Sequence, residues 1–583
     1  MMRRTGLASL CLAVGAAVAA VDPITAKGQY FFHSNGTQFF IRGVAYQQGV
    51  GVGGQVDPST QTFIDPLADT TSCKRDIPLL QQLNTNTIRV YAVDPTADHT
   101  ECMSALDDAG IYVIADLSAP DVGDSINRDT PTWNTALLDR YKGVIDNLAA
   151  FPNTLGFFAG NEVTNNNTNT QASAFVKAAV RDSKAYIASK NVGRWLGVGY
   201  ATNDDADTRD LLANYFNCDD PAAAVDFWGY NIYEWCGEST FESSGYQERT
   251  AAFQNFSVPA FFSEYGCNNP GGGEARIFQE TGVLYSNLMN TVWSGGIVYE
   301  FFQEQNDFGL VSVSNGQVTP RKDFAVLAKQ LEASKNAGSN QSLPMSLYTP
   351  TNTPRDCPKV AAGSWEASSV LPPTPNTTVC DCMAQSLQCV VSSSVDAKSM
   401  GALFGTVCGL DSKACDGIAS DASSGTYGAF SMCNSTQQLS HVLNQYYLNQ
   451  GKSASACGFD GQAELLSSTT AADPRCGAVL AEAPSSTGTP IPGTGNGSGS
   501  GNSSGGGSSG GSSSGGSTSG SGNGSSSGGS GTSGNSVTNS GSSGSSASSS
   551  ASGAFGSSGV AVRSDAAGCM MAMVMLGAGL AVW

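Results

Sequence analysis

The chain has 583 residues, a formal net charge of −20 and three histidines against sixteen cysteines. An acidic balance of that size excludes the clustered Lys and Arg that nucleic-acid binding requires. With only His33, His99 and His441, a metal site or a Ser-His or Cys-His catalytic pair is poorly supplied. No metal or cofactor is therefore expected, and acid–base chemistry must fall to carboxylates.

Residues 1–20 open on Met1-Met2-Arg3-Arg4, run without charge from Leu7 to Val18 and close on small residues. A basic start, a short apolar stretch and small residues read as a secretory signal peptide. From 21 to 340, eight apolar runs follow in order: Phe39–Val44, Thr87–Tyr91, Tyr112–Asp116, Leu155–Glu162, Trp195–Tyr200, Phe227–Tyr233, Pro259–Glu264 and Gly296–Phe301. Stretches between them, such as Leu137–Ala150, Ala172–Ser189 and Ile277–Val292, carry helical apolar spacing. This alternation predicts an α/β domain closed as a (β/α)8 barrel. No Gly-rich phosphate loop follows the first run, which counts against a dinucleotide-binding sheet.

Two of these runs end in a glutamate, Glu162 after Asn161 and Glu264 before Tyr265. A (β/α)8 barrel keeps its chemistry at the C-terminal ends of its strands. Two carboxylates facing one cleft are what glycosidic-bond cleavage requires, about 5–5.5 Å apart for a retaining mechanism. Asn161 can bond a sugar hydroxyl beside the first acid. Tyr91, Asp116, Tyr233 and Tyr299 end other runs, and aromatics at the mouth offer sugars flat apolar faces.

Beyond the barrel, 341–377 is rich in Pro, Thr and Ser and reads as a linker. The eight cysteines from Cys380 to Cys476 crowd into 378–478, which predicts a small disulfide-stapled module. Residues 479–559 are dominated by Ser, Gly, Thr and Asn, the composition of a flexible stalk. Small residues from Ser549 to Gly559, a polar spacer at 560–565 and the apolar tail Ala566–Trp583 match a glycosylphosphatidylinositol attachment signal, with 560–583 removed on anchoring. Setting aside Cys11 and Cys569 in the removed ends leaves fourteen cysteines, an even number that fits disulfides in a secreted chain. Sequons at Asn35, Asn166, Asn255, Asn340, Asn376 and Asn434 fit the same compartment. The expected location is the outer leaflet of the plasma membrane, with the cell wall as neighbour.

Four stretches carry a family resemblance: Phe40–Gln47 (FIRGVAYQ), Arg89–Pro95 (RVYAVDP), Ala159–Val163 (AGNEV) and Phe262–Cys267 (FSEYGC). Together they resemble the fungal β-1,3-glucanosyltransferases of glycoside hydrolase family 72, GPI-anchored enzymes that elongate cell-wall β-1,3-glucan. The resemblance implies that Glu162 is the acid/base and Glu264 the nucleophile, with Gln47, Tyr91, Asp116, Asn161, Tyr233 and Tyr299 lining the cleft. It implies a donor-side loop bearing Asp121, Ser125, Asn127 and Arg128, and an acceptor side bearing Asn203, Asp204 and Arg209. It also implies the pairs Cys73–Cys102, Cys218–Cys357 and Cys236–Cys267. Cys433 to Tyr447 and Ala456 to Gly461 resemble the cysteine-rich X8 module, carbohydrate-binding module family 43; its pairing stays open among 105 connectivities. The expected partners are a glucan donor, a glucan acceptor and, through the anchor, a lipid bilayer. Without the resemblance, the carboxylate pair alone fits a retaining β-glucanase equally well; the β-1,3 linkage is what the resemblance implies. A non-catalytic wall scaffold is the third reading.

Overall fold

The computed structural model describes residues 21–49, 63–121, 123–335, 343–466, 473–482 and 491–492. The signal-like segment 1–20, Val122 in the donor-side loop, Asn340, nearly all of the stalk and the apolar tail 560–583 lie outside the described residues.

Eight parallel strands close into a barrel in sequential order: β1 Ile41–Ala45, β2 Thr87–Val90, β3 Tyr112–Asp116, β4 Thr154–Asn161, β5 Gly197–Thr202, β6 Phe227–Asn231, β7 Ala260–Tyr265 and β8 Trp293–Val298. Helices α1 Thr70–Gln82, α2 Thr100–Asp108, α3 Thr135–Leu148, α4 Ala172–Lys190, α5 Arg209–Asn217, α6 Tyr246–Phe253, α7 Gln279–Leu284 and α8 Lys322–Ser334 alternate with them. Every residue of β2 to β8 is buried, because the helices cover one face of the sheet and the barrel interior fills the other. Phe158, Phe227, Phe261, Ile41 and Ile297 pack inside the barrel. Phe31, from a small antiparallel sheet (Thr25–Lys27, Tyr30–Phe32, Gln38–Phe39), joins that cluster against Phe227, Phe261 and Trp195.

Two expectations are corrected. Periodicity predicts a helix over Ile277–Val292, whereas α7 stops at Leu284. There Ser286 Oγ donates to the Val283 carbonyl (2.7 Å) and Asn290 Nδ2 to the Tyr285 carbonyl (3.1 Å), bonds that compete with a continuing helix. The last strand starts at Trp293, three residues before the predicted run, and ends at Val298. Its Gly295 has φ 95°, and a Cβ there would lie 2.1 Å from the Ile41 carbonyl oxygen of β1. Glycine inside a strand marks such close backbone approach, although in sequence it reads as a breaker.

Segment 343–375 lies against the barrel. Lys27 Nζ donates to the Met345 and Tyr348 carbonyls, and Cys357 is bonded to Cys218 at the end of α5. Trp365 is buried, Tyr215 OH donates to the Ser368 carbonyl (2.6 Å), and Thr374 Oγ1 donates to Asp182 of α4 (2.7 Å). The small module follows, with α9 Thr377–Gln385, α10 Ala397–Leu410, α11 Ser435–Asn449 and α12 Cys476–Glu482 around a strand pair, Cys389–Val391 with Ala463–Leu465. Its bridges are Cys380–Cys433, Cys382–Cys476, Cys389–Cys457 and Cys408–Cys415, which selects one pairing from those the sequence leaves open. It docks on the α3–α4 side, where Thr135 N donates to the Met432 carbonyl (3.0 Å) and Phe175 meets Tyr427 edge to face. The apolar core runs unbroken from the barrel through Trp365 and Leu371 to Ala422 and Tyr427.

Candidate active site

Glu162 is the first residue after β4. Its N–H donates to the Ala201 carbonyl of β5 (2.8 Å), and its own carbonyl accepts from Arg128 Nη2 (2.9 Å). The backbone is left-handed at φ 48°, a conformation that costs a non-glycine residue about 1–3 kcal/mol and is held by the surrounding bonds. Glu264 lies within β7, in register with Asn231 at the end of β6. Both glutamates are 2% exposed.

A closed set of buried polar groups joins the two acids. Arg89 of β2 donates from Nη1 to Glu264 Oε1 (3.2 Å) and from Nη2 to Asp116 Oδ2 (3.0 Å) and Asn161 Oδ1 (3.1 Å). Asn231 Nδ2 donates to Asn161 Oδ1 (3.0 Å) and to Glu162 Oε1 (2.8 Å), while Ser263 Oγ donates to Asn231 Oδ1 (2.7 Å). Tyr91 OH and Tyr233 OH donate to Glu264 Oε1 and Oε2, each at 2.9 Å.

The two acids are unequal. Burial raises both carboxyls. Glu264 is pulled back by the Arg89 charge and the two phenolic donors. Glu162 has only the Asn231 amide and two more distant guanidiniums, so burial and the charge on Glu264 push it up to about 8. Glu162 therefore holds its proton more firmly than Glu264, the division of labour that a two-carboxylate glycosidic site requires.

The remaining residues divide by task. Gln47 accepts the Tyr91 and Ala92 N–H groups (both 3.0 Å) and donates to the Ile64 carbonyl, so its side chain is engaged in holding the mouth. Asp116 holds Arg89, with burial raising its carboxyl against the Arg89 charge. Tyr299 meets Tyr91 and Phe308 edge to face, and Asn306 Nδ2 donates to its hydroxyl. Asn161 Oδ1 accepts from both Arg89 and Asn231, while its Nδ2 is buried without a partner among the described residues.

In the donor-side loop, Asp121 Oδ1 is buried with no partner among the described residues, whereas Asn127 is exposed and accepts the N–H groups of Asp129 and Thr130. Ser125 is half-buried, and only Arg128 reaches the Glu162 backbone. Asp204 binds Arg209 (2.7 Å) and Tyr230 OH; Asn203 donates to the Asn165 carbonyl and leaves Oδ1 unpartnered. Cys236–Cys267 ties the loop after β6 to the loop after β7, next to Tyr233 and Glu264, and Cys73–Cys102 ties α1 to α2. Sequence reasoning did not single out Arg89, Asn231, Ser263 or Tyr230. The available signal was Arg89 itself, a charge inside a strand of otherwise buried type.

Two buried carboxyls joined through Asn231, Asn161 and Arg89 at the C-terminal mouth of a (β/α)8 barrel define a carbohydrate-active enzyme of the two-carboxylate type. The chain belongs to the glucanosyltransferase family, glycoside hydrolase family 72, whose model matches residues 13–335. A second model, the X8 domain, matches residues 387–464. A 1,3-beta-glucanosyltransferase of Arthroderma benhamiae is 52% identical over 476 residues, covering 78% of this chain and 85% of the relative. The pH-responsive protein 1 of Candida albicans is 48% identical over 463 residues, covering 78% of this chain and 81% of that protein. Among solved structures, Saccharomyces cerevisiae Gas2p in complex with laminaripentaose superposes with a TM-score of 0.69 at 42% identity, covering 76% of this chain and 97% of that one.

Proposed function

We propose that the protein is a retaining β-1,3-glucanosyltransferase that cleaves one β-1,3-glucan and joins the released piece to the non-reducing end of another, elongating wall glucan. Membership of the glucanosyltransferase family carries this reading, and the unequal carboxyls of Glu162 and Glu264 supply its chemistry. Ionised Glu264 attacks the anomeric carbon of the donor while Glu162 gives its proton to the departing glycosidic oxygen. The acceptor's 3-hydroxyl then loses its proton to Glu162 and attacks the same carbon, and Glu264 leaves as a carboxylate. The free Asn161 amide supports the reading, since it can bond a sugar hydroxyl whose contribution grows as the ring becomes oxocarbenium-like. The same reading assigns the donor side to the loop through Arg128 and the acceptor side to Asn203, Asp204 and Arg209, and family membership with the unpartnered Asp121 and Asn203 oxygens supports it.

Incubated with a single β-1,3-gluco-oligosaccharide, the enzyme is expected to yield chains both shorter and longer than the starting material, with retained anomeric configuration. Mass spectrometry and NMR check this. Shorter chains and free sugar alone, at high acceptor concentration, would replace transfer with hydrolysis.

The same reading places the enzyme outside the cell on a GPI anchor. It is supported by the signal-like composition of residues 1–20, by the small, polar and apolar succession from Ser549 to Trp583, and by seven disulfides, which need an oxidising compartment. Treating cells with a phosphatidylinositol-specific phospholipase should release the protein. A cell-bound product whose C-terminal peptide still contains Trp583 would refute the anchor.

A further inference from the structure

The polar groups beneath the acid pair have a direction. Arg89 carries only donors, so the Asn161 atom 3.1 Å from it must be the oxygen. That oxygen is also 3.0 Å from the Asn231 amide, so Asn231 must turn its nitrogen toward it. The same nitrogen lies 2.8 Å from Glu162 Oε1, and both of its hydrogens are then used. Asn231 Oδ1 is left facing Ser263 Oγ at 2.7 Å, where the hydroxyl must donate. Reversing the Asn231 amide would set its oxygen against two other oxygens. All of these groups are nearly or fully buried, so no water relieves a mismatch. The polarity set by Arg89 thus passes through Asn161 to Asn231, and Ser263 locks it from the far side.

We propose that Asn231 and Ser263 are a positioning relay for the acid: the fixed N–H to Glu162 Oε1 confines the transferable proton to Oε2. This rests on the reading of Glu162 as the acid/base. An acid free to exchange its two oxygens would spend part of its time with the proton turned away from the glycosidic oxygen. The relay removes that freedom without touching the substrate. Its donated N–H also favours the carboxylate form of Glu162, opposing burial and Glu264. The charged or titratable groups acting on Glu162 are Glu264 of β7, Arg89 of β2 and Arg128 of the loop after β3, with Tyr200 of β5 nearby.

The test measures total donor cleavage, whatever the acceptor, for Asn231→Ala and Ser263→Ala across pH, with thermal unfolding recorded for each. In Asn231→Ala the alkaline limb of kcat/KM should move to higher pH, because a bond that favoured the carboxylate is gone. Its kcat on natural glucan should fall about tenfold with KM within about twofold, while a donor with an activated leaving group is cleaved nearly normally. Ser263→Ala, which removes one oxygen, should shift the limb the same way by less, and carries the test alone if Asn231→Ala does not fold. Limbs that stay in place, or equal losses on both donors, overturn the relay. Since cleavage is the readout, a wild-type enzyme that only hydrolyses would overturn the transfer reading and still report on the relay.

Discussion

Glu264→Gln is expected to leave no turnover of any donor, natural or activated, above the rate in buffer. The amide cannot form the covalent glycosyl-enzyme, and the three donors that hold Glu264 (Arg89, Tyr91 and Tyr233) would surround a neutral group. Glu162→Gln should behave differently. On natural glucan it should lose about 10²–10⁴-fold, the worth of general acid–base assistance. With a leaving group that needs no proton, the first step should survive and a glycosyl-enzyme should accumulate, because the second step still lacks its base. The pH profile provides a separate check. Wild-type kcat/KM should fall on the acid side as Glu264 is protonated and on the alkaline side as Glu162, raised to about 8, gives up its proton. In Glu162→Gln the alkaline limb should vanish for the activated donor. Equal damage on both donors, or an alkaline limb that persists, would reverse or dismiss the assignment of Glu162.

Truncation should separate the barrel from what the barrel needs. A chain ending at residue 340 loses Cys357, and Cys218 is left as an unpaired thiol at the end of α5. Closing that 139-residue separation is worth about 4–5 kcal/mol in the chain-entropy account of disulfides. The same cut uncovers the α3–α4 face and removes Trp365, Leu371, Ala422 and Tyr427 from the continuous core. It also strips Thr374 from Asp182 and the Ser368 carbonyl from Tyr215. Ordinary domain stabilities are about 5–15 kcal/mol, so these losses together should prevent folding. A chain ending near residue 484 keeps every one of these contacts and should be secreted and active. Secreted yield and thermal unfolding of the two chains decide the matter, and a 340-residue chain that melts with the longer one would show that the module is only a passenger.

The barrel was legible in the sequence because strands buried on both faces leave continuous apolar runs, and because acids at their ends stand out against that background. Glu162 and Glu264 were found this way, as were the tyrosines that hold Glu264. Arg89, Asn231 and Ser263 were not, for a physical reason. Their roles depend on which strand lies beside which and in what register, as when Asn231 comes opposite Glu264, and a single sequence carries no cross-strand register. Ser263 also sits in a buried run, where one small hydroxyl reads as filler. Gln47 shows the opposite case: its family motif points to the cleft, yet its amide is occupied by backbone groups. The segment 343–375 reads as a linker by composition, while hydrogen bonds to Lys27, Tyr215 and Asp182 and the bridge to Cys218 fasten it to the barrel.

The left-handed backbone at Glu162 has a bearing on engineering. Only glycine adopts that geometry without penalty, so Glu162→Gly would relieve strain and delete the acid in a single step. A campaign that ranks positions by backbone strain alone would be drawn to this codon and would return an inactive protein whose Asn231 N–H had lost its acceptor. Strain and chemistry are tied together at this one position, and any screen for improved variants has to score product as well as heat resistance.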